Sequence, residues 1–385
     1  MVDELYLDVA ATTPVRGEVL QAMWPYLTGE FGNPSSHHQI GERAAEALKT
    51  ARATVARVLG CRASEVVFTS GGTEADNLAI KGIALASPRG RHVITSPIEH
   101  EAVLESVDYL RRLHGFEVTV LPVAPDGTIA PEVLADALRA DTTLVSIQHA
   151  SNEIGTVQAI AELAAVAHEH GVLFHTDAVQ SAGALDVGLA SLGVDAVSFA
   201  GHKLGAPKGI GALAVRGGVP LEPVLHGGGQ ERGRRSGTEN VAGAVALATA
   251  LALAEAERAA TAEFAEVRDV LIDGVLNRVP DALLTGSHES RLPNHASFCF
   301  PGTSGEAVLL ELESRGIVCS SGSACAAGSD EPSPALLALG IEPEVAQTSV
   351  RFTLPGGVTR EQAADVVDRV TMAVATVGRL GSPIQ

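Results

Sequence analysis

Short apolar runs alternate along the chain with longer stretches in which Ala, Leu and Val recur at helical spacing. The first pattern suits strands covered on both faces, the second suits helices with one apolar side. Residues 5–14 read as a short strand entering a polar turn, and Asn33-Pro34-Ser35-Ser36 marks a loop. A helix is predicted over 41–59. It is followed by a strand at 65–69 and a helix at 74–86, then a strand at 92–96 and a helix running to 114. A strand at 116–122 and a helix at 131–140 come next. Strands at 143–149 and 172–176 flank a helix that ends at His170-Gly171, and two more strands are expected at 195–199 and 210–215. Strands that alternate with helices pair in parallel through crossovers, which cover both faces of the sheet. The fold class expected is therefore α/β, with a large, doubly wound, mostly parallel sheet.

Past residue 220 the pattern changes. Leu225 to Thr238 is a polar, glycine-rich loop, and 239–279 reads as a long helical block. The loop is no phosphate-binding P-loop, because Arg234-Arg235 stands where Lys-Ser/Thr is needed. Strands at 296–300, 317–319 and 348–354, with helices at 305–315, 333–339 and 359–379, describe a smaller α+β domain. The expected division is 15–258 for the large domain, with 1–14 and 259–385 forming the small one.

Composition narrows the class. With 46% hydrophobic and 19% charged residues, 385 residues can build a substantial core. A net charge of −19 argues against direct binding of nucleic acid through the general surface. Cys61, Cys299, Cys319 and Cys325 are too scattered for a disulfide framework, and none has zinc-type spacing. No signal-peptide pattern opens the chain, and the Ala-rich stretch 241–255 suits a buried helix better than a membrane span. A reducing, cytoplasmic setting is expected.

Ligands of open α/β sheets collect beyond the carboxyl ends of the strands. Thr73, His100, Asn152, Asp177 and Lys203 all fall just past predicted strand ends. Ser70-Gly71-Gly72-Thr73, between a strand and a helix, reads equally as an anion site or as an ordinary turn with Thr73 as N-cap. A lone loop lysine is usually just solvated. Lys203, however, lies between two strands in a Gly-rich segment, and Asp177 ends the strand before. That order is what pyridoxal 5′-phosphate (PLP) chemistry requires: an acid to keep the pyridine nitrogen protonated and an amine to carry the cofactor as an imine. Cys325 sits among small residues from Ser320 to Ser329. Taken alone it is as readily an accidental surface cysteine as a nucleophile.

Together these motifs resemble the PLP-dependent cysteine desulfurases of the class V aminotransferase superfamily. The resemblance runs from Tyr6-Leu7-Asp8 to Arg351-Phe352-Thr353. It is carried by Ala11-Thr12-Thr13-Pro14, Gly32 to His37, Thr69 to Glu74, Asn152-Glu153-Ile154-Gly155, Asp177 to Gln180, Gly201-His202-Lys203 and Arg235 to Thr238. Ser320 to Cys325 carries the Ser-Ser-Gly-Ser-Ala-Cys signature of the group with a long catalytic loop. The resemblance implies the PLP-dependent transferase fold of type I and the conversion of L-cysteine to L-alanine. Sulfur would leave as a persulfide for an acceptor protein, serving iron–sulfur cluster assembly or sulfur modification of tRNA or DNA. The alternative is another class V enzyme, such as a selenocysteine lyase or an aminotransferase.

The resemblance also assigns roles. Lys203 carries the cofactor and shuttles protons, His100 stacks on the ring and is a catalytic acid/base, Asp177 pairs with the ring nitrogen, and Gln180 and Asn152 lie at the phenolic oxygen. Gly72, Thr73 and His202 hold the phosphate, and Thr238 reaches the phosphate of a second subunit, which implies a homodimer. Arg351 binds the substrate carboxylate with Asn33, and Cys325 attacks the substrate sulfur. A shared iron–sulfur cluster on Cys325 during transfer is neither required nor forbidden. One departure stands out: Ala200 replaces the serine whose hydroxyl the family usually offers to the phosphate, so one phosphate contact fewer is expected.

Overall fold

The computed structural model describes residues 4–322 and 331–380. In chain order the first half holds β1 (Leu5–Tyr6), α1 (Gly17–Thr28), α2 (Gln39–Val58), β2 (Val66–Thr69), α3 (Gly72–Ala86), β3 (His92–Thr95), α4 (Glu101–His114), β4 (Glu117–Val120), α5 (Pro131–Ala137), β5 (Thr142–Ser146), α6 (Ile160–Glu169) and β6 (Leu173–Asp177). The second half holds α7 (Leu189–Leu192), β7 (Ala196–Ala200), β8 (Gly211–Val215), α8 (Val241–Glu257), α9 (Thr261–Arg278), β9 (Leu283–Leu284), β10 (His295–Cys299), α10 (Gly305–Ser314), β11 (Ile317–Val318), α11 (Pro334–Ala338), α12 (Pro343–Ala346), β12 (Ser349–Thr353) and α13 (Arg360–Leu380).

Seven strands form the main sheet in the order β2-β8-β7-β6-β5-β3-β4. β8 runs antiparallel to β2 and β7, and the other pairs are parallel. Alternation along the strands sends side chains to two apolar layers. Phe68, Ile94, Val145, Phe174 and Val197 pack with α2, α6 and α8, whereas Val67, Val93, Leu144, Ala196 and Leu213 pack with α3 and α4. Each such fully buried large side chain contributes about 1.5–3 kcal/mol. β4, at the edge, is partly exposed along its length.

The C-terminal part has its own core, built from α9, α10 and α13 against a three-stranded antiparallel sheet, β12-β10-β9. Leu7 belongs to that core, and β1 pairs with β11 in register Leu5↔Ile317 and Tyr6↔Val318. The first residues of the chain are thus stitched to its last third, while Ala10 and Ala11 run on toward the main sheet.

The sequence left α1 unread: Pro25 lies inside it and Leu20, Trp24 and Leu27 are exposed, so no clean apolar stripe announces it. One reading needs correction. The helical block 239–279 is two helices, broken by a 3₁₀ turn at Arg258–Ala260. α7, β9 and α12 were not anticipated, being too short to show a period. Among the described residues, no helix is long and apolar enough to cross a membrane.

Candidate active site

The carboxyl ends of β2, β3, β5, β6 and β7 open on one cavity of about 350 Å³. Gly72 and Thr73 reach it from the first turn of α3, and His100 from the N-cap of α4. Asn152 follows β5, Asp177 ends β6 and Gln180 follows it, and His202 and Lys203 sit in the 3₁₀ turn that leaves β7. Arg351 enters from β12. The rule that ligands meet strand ends thus gathers residues spread from 72 to 351 around one space.

Backbone carbonyls of the N-terminal segment hold the lysine. Lys203 Nζ donates to the Ala10 carbonyl and, at 2.7 Å, to that of Ala11. Gln180 Nε2 also donates to Ala10 O, at 3.0 Å. Thr13 donates twice to the His202 carbonyl, through its amide at 3.0 Å and its hydroxyl at 2.8 Å. His202 Nδ1 meets the Thr12 hydroxyl at 3.2 Å. Burial, with Lys203 and Lys208 nearby, lowers His202 to about 4, so its ring is neutral at pH 7. His100 Nδ1 accepts the Ala102 amide at 3.0 Å, so Nε2 is the ring nitrogen that carries a proton.

The floor of the cavity is acidic and buried. Asp177 is buried and accepts the Val179 amide at 2.8 Å; burial raises its pKa, against the pull of His100 and Lys203. Asp76, on the second turn of α3, also lines the cavity; burial and the neighbouring Asp177 raise it well above the carboxylate range. Glu99, just before α4, accepts from Ser96 Oγ and from the Gln148 amide, and burial still pushes it up to about 8.

Arg351 is among the largest fully buried side chains. Its Nη2 donates to Asp8 Oδ1 at 2.8 Å and its Nη1 to the Asn152 carbonyl at 3.0 Å. Its Nε is buried and has no partner among the described residues. A guanidinium with one edge tied and another polar atom unpaired, in the wall of a cavity, suits an incoming carboxylate.

Similarity to known proteins agrees with this geometry. The family model for class-V aminotransferases matches residues 5–366. The chain belongs to the aminotransferase class-V family. The cysteine desulfurase IscS of Dictyoglomus turgidum is 46% identical over 97% of this chain and 96% of its own length. A NifS-like protein of known structure superposes with a TM-score of 0.90 at 37% identity, covering 97% of this chain and all of its own. SspA, solved in complex with cysteine, superposes at 0.79 with 38% identity, covering 91% of this chain and 99% of its own.

This class-V enzyme depends on PLP, and its residues fit the cofactor. A flexible amine, a buried acid and a helix N-terminus open on one cavity. Gly72 at that N-terminus leaves the cradle clear, because a Cβ there would meet Val179 Cγ2 at 2.8 Å. Ala200 is buried in the same wall, 3.5 Å from that Cβ position, and brings no hydroxyl.

Two residues singled out from the sequence, Asn33 and Thr238, do not line the cavity of this chain. Asn33 is exposed and folds onto its own loop, its Oδ1 accepting the Ser35 amide at 2.9 Å. Thr238 is exposed in the glycine-rich loop. Cys325 lies outside the described residues. Conversely, sequence reasoning missed Asp76, Asp8 and Glu99. Asp76 left a trace: it interrupts the apolar side of α3 between Ala75 and Leu78. For Asp8, whose partner Arg351 is 343 positions away, no local pattern could do so.

Proposed function

We propose that this chain is a cysteine desulfurase that converts L-cysteine to L-alanine and passes the sulfur on as a Cys325 persulfide. The observation that carries the reading is the shared cavity, in which an amine, a buried acid and a half-tied arginine meet. When bound, PLP supplies an aldehyde for the substrate amine and an electron sink for the charge released at the α-carbon.

Lys203 tethers the cofactor and, once displaced, takes the α-proton. Asp177 holds the proton of the pyridine nitrogen. Gln180 and Asn152 serve the phenolic oxygen, and His100 lies over the ring with its proton on Nε2. The first turn of α3, with Gly72 and Thr73, and His202 receive the phosphate, which the helix dipole favours. Thr238 serves the phosphate site of a second subunit, so the active form is a homodimer. Arg351 receives the substrate carboxylate, with Asn33 closing on it.

The Cys325 thiolate attacks the substrate Sγ. The new S–S bond forms as the Cβ–Sγ bond breaks, its electron pair stays with the carbon skeleton, and protonation completes L-alanine. The enzyme works in the cytoplasm and hands its sulfur to an acceptor protein, without membrane or direct nucleic-acid contact. The IscS name of its relatives favours iron–sulfur cluster assembly among the acceptor pathways. The same reading divides the chain into 15–258, which carries the cofactor, and 1–14 with 259–385, which carries the thiol. The two separate apolar cores support that division.

Purified enzyme incubated with L-cysteine and a thiol reductant should yield alanine and sulfide in equal amounts. Lys203→Ala should abolish turnover. Cys325→Ser should keep the yellow cofactor and form neither persulfide nor alanine. Wild-type desulfuration by Cys325→Ser would remove the thiol from the mechanism, and a chain that refuses PLP would end the reading altogether.

A further inference from the structure

Beneath the cavity, on the α3 side of the sheet, lies a closed polar island. Alternation along β6 turns His175 and Asp177 to the same face, where Ser146 of β5 and Ser198 of β7 flank them. His175 is fully buried; its Nδ1 meets Ser146 Oγ and its Nε2 meets Ser198 Oγ, both at 2.9 Å. Asp76 comes down from α3 onto this island, 1% exposed, beside Ser198. Its Oδ1 has no hydrogen-bond partner among the described residues and stands 3.7 Å from His175 Nε2, beyond hydrogen-bond reach. Glu99 and His100 face the same space from the loop before α4, and Lys203 from the turn after β7.

Two buried carboxyls this close do not both ionise. The surroundings decide which one keeps its proton. Asp177 has the Val179 amide, and His100 and Lys203 both favour its anion. Asp76 has one hydroxyl and, among the described residues, no cation that favours its anion. Burial holds His175 near 3, so it is neutral and gives Asp76 no positive charge. The amide hydrogen bond, stronger when its acceptor is charged, places the negative charge on Asp177.

We propose that Asp76 is a positioning residue that acts through Asp177: it stands as a neutral carboxylic acid under the cofactor cavity and leaves Asp177 as the single anion facing the pyridine nitrogen. The inference rests on the assignment of Asp177 given above. Apart from Asp76 Oδ1, the groups of the island can then be paired without a charge. Asp76 donates to Ser198 Oγ, the Ser198 hydroxyl donates to His175 Nε2, and His175 Nδ1–H donates to Ser146 Oγ. This chain of donors fixes the His175 tautomer and, through β6, the strand end that carries Asp177.

The direct test is an infrared difference spectrum of the holoenzyme at pH 7, wild type minus Asp76→Asn. The expected result is loss of the carbonyl stretch of one un-ionised carboxylic acid. Loss of a carboxylate band instead would overturn the proposal. Kinetics give a second arm. The amide introduced by that substitution is also neutral and also donates, so Asp76→Asn should keep kcat within about threefold and leave the visible absorbance of PLP unchanged between pH 6 and 9.

Asp76→Leu removes the donor. It should lower kcat by about tenfold or more at unchanged KM and shift the pH profile of that absorbance. If Asp76→Leu behaves as wild type, or Asp76→Asn fails as badly as Asp76→Leu, the neutral-donor role is wrong. Asp177→Asn separates this from failure of the parent assignment. Wild-type turnover in Asp177→Asn would displace Asp177 from the pyridine nitrogen, whatever the infrared band of Asp76 shows.

Discussion

Replacing Asp8 with Asn tests whether Arg351 waits for a carboxylate. The substitution keeps shape and one acceptor but removes the charge that faces the guanidinium at 2.8 Å. Arg351 is 1% exposed and Asp8 is 15% exposed at its side chain, so water screens the pair weakly. At an effective dielectric constant of ~20 the pair attraction is about 6 kcal/mol. Breaking a buried pair from one side typically costs about 3–5 kcal/mol, because the remaining charge stays desolvated. The amide still accepts the Nη2 hydrogen bond, which puts Asp8→Asn near the lower end.

That cost belongs to the unliganded enzyme. A substrate carboxylate that binds Arg351 brings the missing negative charge, so the deficit should shrink when the site is filled. The assay is urea denaturation of both proteins, with and without saturating L-alanine, the proposed product. Expected is a loss of about 3 kcal/mol without L-alanine, and of about half that or less with it. A wild-type midpoint in the unliganded variant would show that the ion pair is unimportant. An equal deficit in both conditions would show that Arg351 does not receive the carboxylate.

Two more outcomes follow from the same cavity. Ala200→Ser restores a hydroxyl beside the first turn of α3, and a hydrogen bond to the phosphate should lower the PLP dissociation constant by about tenfold to a hundredfold, read by equilibrium titration of the apoenzyme; unchanged affinity would place the phosphate elsewhere. Glu99 has a folded pKa pushed up to about 8, so its contribution to stability is complete below its ordinary value of 4.5 and is lost as pH rises through 8. Glu99→Gln should therefore match wild type in thermal midpoint at pH 5 and exceed it at pH 9, and a constant offset at both would refute a buried, neutral Glu99.

How far the sequence could be read depends on the distance over which each feature is encoded. The sheet was legible because its strands are buried on both faces and appear as apolar runs, such as Gly211 to Val215. α1 was not, because Leu20, Trp24 and Leu27 face outward and blur the stripe that Val19 and Met23 would have drawn. In the site, Thr73, His100, Asn152, Asp177 and Lys203 were found by one geometric rule applied to strand ends, which needs only local pattern. Asp76 was readable in principle, as a carboxyl set into the buried side of a helix.

The contacts of the N-terminal segment were not readable, and it does more than its length suggests. Over a short stretch it pairs with β11 through Leu5 and Tyr6, meets Arg351 through Asp8, and holds Lys203 by the carbonyls of Ala10 and Ala11; Thr13 then secures the turn behind the lysine. Three of these contacts use backbone carbonyls, which carry no sequence signal, and all of them join positions far apart in the chain, the shortest separation being 189. The segment also joins the two groups that must act on opposite ends of one amino acid: Lys203 at its amine and α-carbon, Arg351 at its carboxylate. Their separation is therefore set by the backbone between Asp8 and Ala11, which is fastened at both ends. A one-residue insertion there should harm kcat more than it harms folding, since β1 pairs upstream of it and Thr13 anchors downstream of it; steady-state kinetics beside a urea melt would show this, and equal losses in both would refute it.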